Sequence, residues 1–155
     1  MAYPSKGSHL NYFVPLITLA QNAAEVLKEV DIGASSADHG ELVCIRSCMV
    51  VQCGFALTSE AASGTTTAPT VIFTKRPTPL SATGEAVVAT VTVATGAAIG
   101  KVTYENNTPV TFAVGDSMEI SHTIGTGTPT GQGLYYFVCD EDPEVAGNNS
   151  DMVAG

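Results

Sequence analysis

The side chains able to do chemistry are few, and their spacing limits what they can do. The chain has three histidines, His9, His39 and His122. A catalytic triad needs a nucleophile, a base and an orienting group brought together in space. His9 falls in a polar N-terminal stretch and His39 in "SSADHGE", which reads as a loop. His122 ends an alternating apolar segment, where a hydrogen-bonded core histidine is the ordinary state. There is neither a G-x-S-x-G elbow nor an H-E-x-x-H pair. Metal chemistry on a β fold would want two histidines and a carboxylate on neighbouring strands, and only His122 reads as a strand histidine. The expectation is a non-enzymatic protein with no catalytic residues, no metal site and no cofactor.

Cys44, Cys48, Cys53 and Cys139 are spaced C-x3-C and C-x4-C in their first three members. That is neither the C-x2-C of zinc ribbons nor a redox C-x-x-C. If "ELVCIRSCMVVQCGFAL" is one strand, Cys44 and Cys48 share a face about 13 Å apart, too far for a common ion or a disulfide. Cys53 then points to the other face. Free thiols acting as small hydrophobes are expected.

Two further clusters invite a functional reading. "SHTIGTGTPTGQGLYYF", residues 121–137, carries glycines at 125, 127, 131 and 133. A dinucleotide fingerprint needs G-x-G-x-x-G opening a helix, and a P-loop needs G-x-x-x-x-G-K-[ST]. Here there is no lysine, Pro129 interrupts, and "LYYFV" continues as a strand, so no helix dipole stands behind the glycines. The stretch reads as a hairpin tip and contact loop, with Thr126, Thr128 and Thr130 as compact contact residues. "DEDPE" gathers Asp140, Glu141, Asp142 and Glu144. It lacks the EF-hand pattern and reads as a solvated acidic turn. Asn106 and Asn148 open N-x-[ST] triplets and read as turn residues.

The elements that must position these residues are strands. The chain has 155 residues, enough for one domain with its own core. Hydrophobic residues make up 45% and charged residues only 14%, about half the usual charged share. Threonine and valine are plentiful, and β-branched residues favour strands. So little charge suits a subunit whose surface other protein covers. The net charge of −9, with no basic run, argues against nucleic-acid binding. The N-terminus has no sustained apolar core after basic residues, so no signal peptide is expected. No apolar run reaches the ~20 residues of a membrane helix, so no membrane association is expected either.

The first thirteen residues read as an arm carrying Tyr3, Tyr12 and Phe13. A strand is expected from about Glu25 to Ile32, and one long strand from Glu41 to Thr58 with Val43, Ile45, Met49, Val51, Cys53, Phe55 and Leu57 on one face. Further strands follow in "TVIFTKRP", "EAVVATVTVAT", "KVTYE", "VTFAV", "GDSMEISHTI" and "LYYFVC", with "NNTP" as a turn. About eight strands with regular turn signals give an all-β fold, an antiparallel β-sandwich of jelly-roll-like form. The expected layout is an arm at 1–13, one β-sandwich domain at 14–142 and a tail at 143–155.

With these features together, the chain resembles the small virion structural proteins of tailed bacteriophages, above all capsid decoration (cement) proteins with a jelly-roll-like fold. The resemblance is carried by "ELVCIRSCMVVQCGFALT", "VTFAVGDSMEISHTIGTGTPTGQG" and "LYYFVCDED" and covers roughly residues 25–142. It implies a protein that binds the major capsid protein lattice, often as a homotrimer, and stabilises the head. Such a protein is assembled in the host cytoplasm and resides on the virion. The arm residues Tyr3, Tyr12 and Phe13 and the tail after Pro143 are the expected contacts. Alternatives are another virion component (tail, neck or baseplate) or a carbohydrate- or receptor-binding sandwich. The last is disfavoured by the absence of tryptophan and by the placing of Tyr104, Tyr135 and Tyr136 in strands.

Overall fold

Alternating β-branched and polar residues produce strands that bury one face each, and the computed structural model packs two such sheets together. It describes residues 13–15, 30–33, 37–61, 65–127 and 130–141. Among these the strands are β1 (Phe13–Pro15), β2 (Val30–Asp31), β3 (Ala37–Cys44), β4 (Cys48–Leu57), β5 (Thr65–Thr67) and β6 (Thr70–Arg76). They continue with β7 (Ala86–Thr92), β8 (Val102–Phe112), β9 (Ser117–Thr123), β10 (Thr126–Gly127) and β11 (Gln132–Glu141). One sheet runs β1-β3-β9-β6-β7 and the other β2-β11-β4-β8, while β5 and β10 form a two-stranded ribbon. Every pairing is antiparallel. The expected all-β antiparallel sandwich is the fold of the chain.

Leaving out β1, β5 and β10, the pairing is nested. The first strand pairs with the last (β2 with β11), then β3 with β9, β4 with β8, and β6 with β7. Only β6 and β7 are both consecutive and hydrogen-bonded to each other. Every other connection among these eight carries the chain to the opposite sheet.

The core lies between the sheets. Phe73, Val71, Val91, Met118 and Ile120 face Phe55, Val50, Phe112 and Phe137, and nearly all are fully buried. Each such side chain contributes about 1.5–3 kcal/mol by leaving water. All four cysteines are free and buried in this core.

The long strand expected from Glu41 to Thr58 is instead two strands in different sheets. The chain crosses at Ile45–Ser47, where the Cys44 N–H donates to Asp116 O at 2.7 Å and the Gly115 N–H donates to Cys44 O at 2.9 Å. The spacing of four between Cys44 and Cys48 keeps both thiols directed inward, so periodicity cannot reveal the bend. The two thiols interact across the sheets and are not held apart along one strand. Within β4, Val51 bulges out of the ladder, because Gln52 pairs with Val138 while Val50 pairs with Cys139. A single extra residue reverses the parity. Cys48 and Val50 therefore point inward before the bulge, and Cys53, Phe55 and Leu57 after it. Ile45 is exposed, and Met49 and Val51 are only partly covered.

Two smaller expectations are also corrected. "NNTP" is not a turn between strands. β8 runs through it, and the extra length on β8 appears as a register shift between the Val50 and Gln52 pairs. Asn106 is thus a strand residue. His39 lies in β3 rather than in a loop. Of the strand expected at Glu25–Ile32, Val30–Asp31 is strand, and residues 25–29 lie outside the described residues.

Gly133 is where the inner packing is tightest. A Cβ there would come within 2.5 Å of both the Ala56 carbonyl oxygen and the Phe55 ring. Because a backbone atom cannot move aside, Gly133→Ala is expected to destabilise the fold by about 1–3 kcal/mol, measured by chemical denaturation. Burial also pushes the Cys53 thiol up from 9.0 to about 12. The fold therefore favours the neutral thiol. This contribution is intact below about pH 9 and is lost as the pH rises toward 12. A soluble aromatic disulfide reagent should leave the native protein unmodified at mildly alkaline pH and titrate four thiols after denaturation. Rapid labelling of the native state would contradict this packing.

Candidate functional site

Consecutive strand residues project to opposite faces, and Lys75 and Arg76 use this at the end of β6. The Lys75 ammonium donates to the Thr111 carbonyl at 2.7 Å, pairs with Asp116 Oδ2 at 2.9 Å and lies 5.3 Å from the Phe112 ring centroid. It thereby ties β6 to the far end of β8. Asp116 Oδ2 also accepts the Ala113 N–H at 2.9 Å, which closes the turn between β8 and β9.

Arg76 turns to the outer face of its sheet. There Glu41 on β3 and Glu119 on β9 are direct cross-strand partners. Like charges in that position repel, and both are buried. The guanidinium sits between them, with Nη2 2.8 Å from Glu119 Oε1 and Nη1 3.7 Å from Glu41 Oε1, and its Nε donates to Glu85 Oε2 at 3.2 Å. Burial by itself would lower the Arg76 pKa, but Glu119, Glu85 and Glu41 together raise it. Glu41 is completed by the Ser117 hydroxyl, donating at 2.7 Å, and by the Leu80 N–H at 2.8 Å. The connection between β6 and β7 is held over the cluster by this last bond.

Two carboxylates beside an arginine and a serine resemble an acid–base site in composition, but their geometry is that of a closed network. Both carboxylates share the Arg76 guanidinium, and Ser117 is fully buried and already committed to Glu41. Among the described residues, no three His, Cys, Asp or Glu side chains converge as a metal would require. His122 is buried on β9.

What the network positions is the surface around it. Leu80 takes φ +60°, a left-handed conformation uncommon for a residue with a side chain, and its side chain is 68% exposed. The crossing at Ile45–Ser47 and the turn at Ala113–Asp116 lie at the same end of the sandwich, joined through Cys44. They expose Ile45 at 50% and Val114 at 67%. Three aliphatic side chains thus stand in water on three connections at the ion-paired end of the sandwich.

The outer face of the other sheet is a second exposed area, ordered in rows by its register. Leu134, Ala56 and Val102 form one row, Tyr136, Gly54 and Tyr104 the next, and Val138, Gln52 and Asn106 the third. Tyr104 is 52% exposed, and Leu134, Val102 and Val138 are between 39% and 47% exposed. A Cβ on Gly54 would collide with the Cζ, Cε1 and Oη atoms of Tyr136, so that ring lies across Gly54. Burial, and then Tyr104 and Cys53, raise the Tyr136 pKa. Tyr135 points to the core side, where burial raises its pKa.

The residues expected to make contacts fare unevenly. Tyr3, Tyr12 and Thr128 lie outside the described residues, as do the tail from 142 onward and His9. Phe13 belongs to β1, paired with Cys44. Thr126 and Thr130 are exposed, and the Thr126 hydroxyl bonds Thr67 Oγ1 at 2.8 Å. The stretch carrying them is not a hairpin tip. It leads from β9 in one sheet to β11 in the other and pairs with β5 on the way. Sequence reasoning missed Glu41, Arg76, Glu119 and the exposed Ile45, Leu80 and Val114. The available signal was the adjacent pair Lys75 and Arg76 in a chain with six basic residues against fifteen acidic ones.

Comparison with known proteins finds no matching family model, no matching curated protein and no matching solved structure.

Removing one partner of a buried ion pair typically costs about 3–5 kcal/mol. Arg76→Met, which leaves Glu41 and Glu119 facing each other, is expected to lower stability by about that amount. Glu85→Gln, at a side chain 41% exposed, should cost under about 1 kcal/mol. Equal effects in urea denaturation would show that the network is not organised around the buried pair.

Proposed function

We propose that the chain is a non-enzymatic virion structural protein of the capsid-decoration type, which binds the major capsid protein lattice and stiffens the head. The nested pairing, first strand with last and fourth with fifth, supports reading the sandwich as a jelly roll of two Greek keys. The observation carrying the functional reading is the end of the sandwich where Ile45, Leu80 and Val114 stand exposed on ion-locked connections. A solitary soluble domain gains nothing from holding a strained leucine in water. A docking block gains pre-organised apolar anchors whose burial on contact incurs little ordering cost. A low charged fraction and net charge of −9 fit a protein partner and not a nucleic acid. In this reading the decorating unit is a homotrimer, and Phe13, Thr126 and Thr130 supply contacts between chains.

The test is co-sedimentation of the purified protein with undecorated capsids. Wild type should bind at three-fold or quasi-three-fold positions. Leu80→Asp and Val114→Asp should each weaken binding at least tenfold with little change in thermal midpoint, since both side chains are more than 60% exposed. Binding at a single vertex would point to a neck component instead, and unimpaired binding by both variants would refute the docking end.

A further inference from the structure

In the row Tyr136–Gly54–Tyr104 a glycine stands between two tyrosines on the outer face of the sheet. Gly54 is the direct partner of Tyr136 on one side and of Tyr104 on the other. Its missing side chain lets the Tyr136 ring lie across the backbone, with Cζ, Cε1 and Oη over Gly54. The Tyr136 side chain is partly exposed on this outer face. Tyr104 stands at the far side of the same row, 52% exposed, and the two phenols are close enough to influence each other electrostatically. The result is a shallow aromatic floor bounded by a second ring.

The adjoining row supplies polar groups of one kind. The Gln52 side-chain N–H donates to Asn106 Oδ1 at 2.8 Å. This bond orients both amides and uses one end of each. The Gln52 carbonyl and the Asn106 amino group are the remaining acceptor and donor of this amide pair. Such a pair matches neighbouring hydroxyls on a ring, each of which both donates and accepts. None of the nine residues in the three rows is charged.

We propose that this face binds neutral glycans, the C–H face of a pyranose stacking on Tyr136 against Tyr104 while vicinal hydroxyls meet Gln52 and Asn106. Aromatic rings supply apolar contact area with a polar tip, and oriented amides supply specificity. The uncharged rows and net charge of −9 select against sulfated or uronic polymers, which would be repelled. The face lies on the outer side of the β2-β11-β4-β8 sheet, away from the Ile45, Leu80 and Val114 end. The inference therefore does not rest on the capsid reading, and a unit docked by that end would still display the tyrosines.

The experiment is affinity electrophoresis of the intact chain in native gels containing dextran, mannan, a β-glucan or a galactan, with alginate as the acidic control. At least one neutral polymer should retard the wild type. Tyr136→Ala and Tyr104→Ala should each weaken the apparent affinity at least tenfold. Gly54→Ala, which keeps both rings but lifts Tyr136 off the sheet, should do the same. Tyr104→Ala removes an exposed side chain and should leave the circular dichroism spectrum and melting midpoint unchanged, so loss of binding in that variant reports the site and not unfolding. Absence of retardation in every neutral polymer overturns the proposal, as does equal retardation of wild type and Tyr104→Ala, or retardation by alginate alone. A dimer dissolved by Tyr104→Ala on size exclusion, with no glycan effect, would assign the face to a second copy and overturn it as well.

Discussion

At the end of β6 two adjacent cations serve opposite sides of one sheet. Lys75 reaches across to the other sheet and holds the turn that carries β8 into β9. Arg76 reaches outward and separates two buried carboxylates that the strand register places directly opposite each other. With one side chain exchanged for the other the arrangement would fail, because only the planar guanidinium can address Glu41, Glu119 and Glu85 together. The closure of the β8–β9 turn, the seat of the β6–β7 connection and the crossing after Cys44 all depend on this pair of residues. In an acidic chain of low charge content, these two cations sit where several acceptors must be reconciled.

The exposed face of the other sheet follows a different logic. Its residues are held by backbone ladders and by contact with one another, without ion pairs. Gly54 matters because it has no side chain. In place of a Cβ the sheet accommodates a ring from the neighbouring strand, and an aromatic covers the backbone that glycine would otherwise leave open. Gly133 shows the inward version of the same device, with Phe55 occupying the space on the core side. The two glycines lie in neighbouring, paired strands and face opposite ways, so one serves the core and the other the surface.

Much of the fold was legible in the sequence. Strand composition, the alternation in β6, β7 and β9, and the free buried thiols could all be read from residue type and period. Three devices were hidden, each for a physical reason. The Ile45–Ser47 crossing preserves parity, because Cys44 and Cys48 are an even number apart, so a bend looks like a continuing strand. The Val51 bulge reverses parity without any glycine or proline to announce it. The loop between β9 and β11 is rich in turn residues, but a hairpin and a crossover between sheets require the same backbone freedom. Placement in a strand does not fix whether a tyrosine is covered, since a strand has two faces, and Tyr104 and Tyr136 lie on the outer one. The ion cluster was invisible because it depends on which strands are neighbours, and Glu41 and Glu119 come from distant parts of the chain.

The nested pairing also constrains the order of events during folding. Lys75 and Ala86 can meet as soon as the β6–β7 hairpin exists, whereas Asp31 and Gln132 can pair only when almost the whole body of the chain is available. Contacts between residues far apart in sequence carry a loop-closure cost until intervening contacts shorten the path. Winding outward from β6–β7, through β4–β8 and β3–β9, reduces each later closure to a short one. The cation pair at the end of β6 lies next to that innermost hairpin. The residues that fix the finished end of the sandwich thus flank the pairing with the shortest loop to close among the nested four.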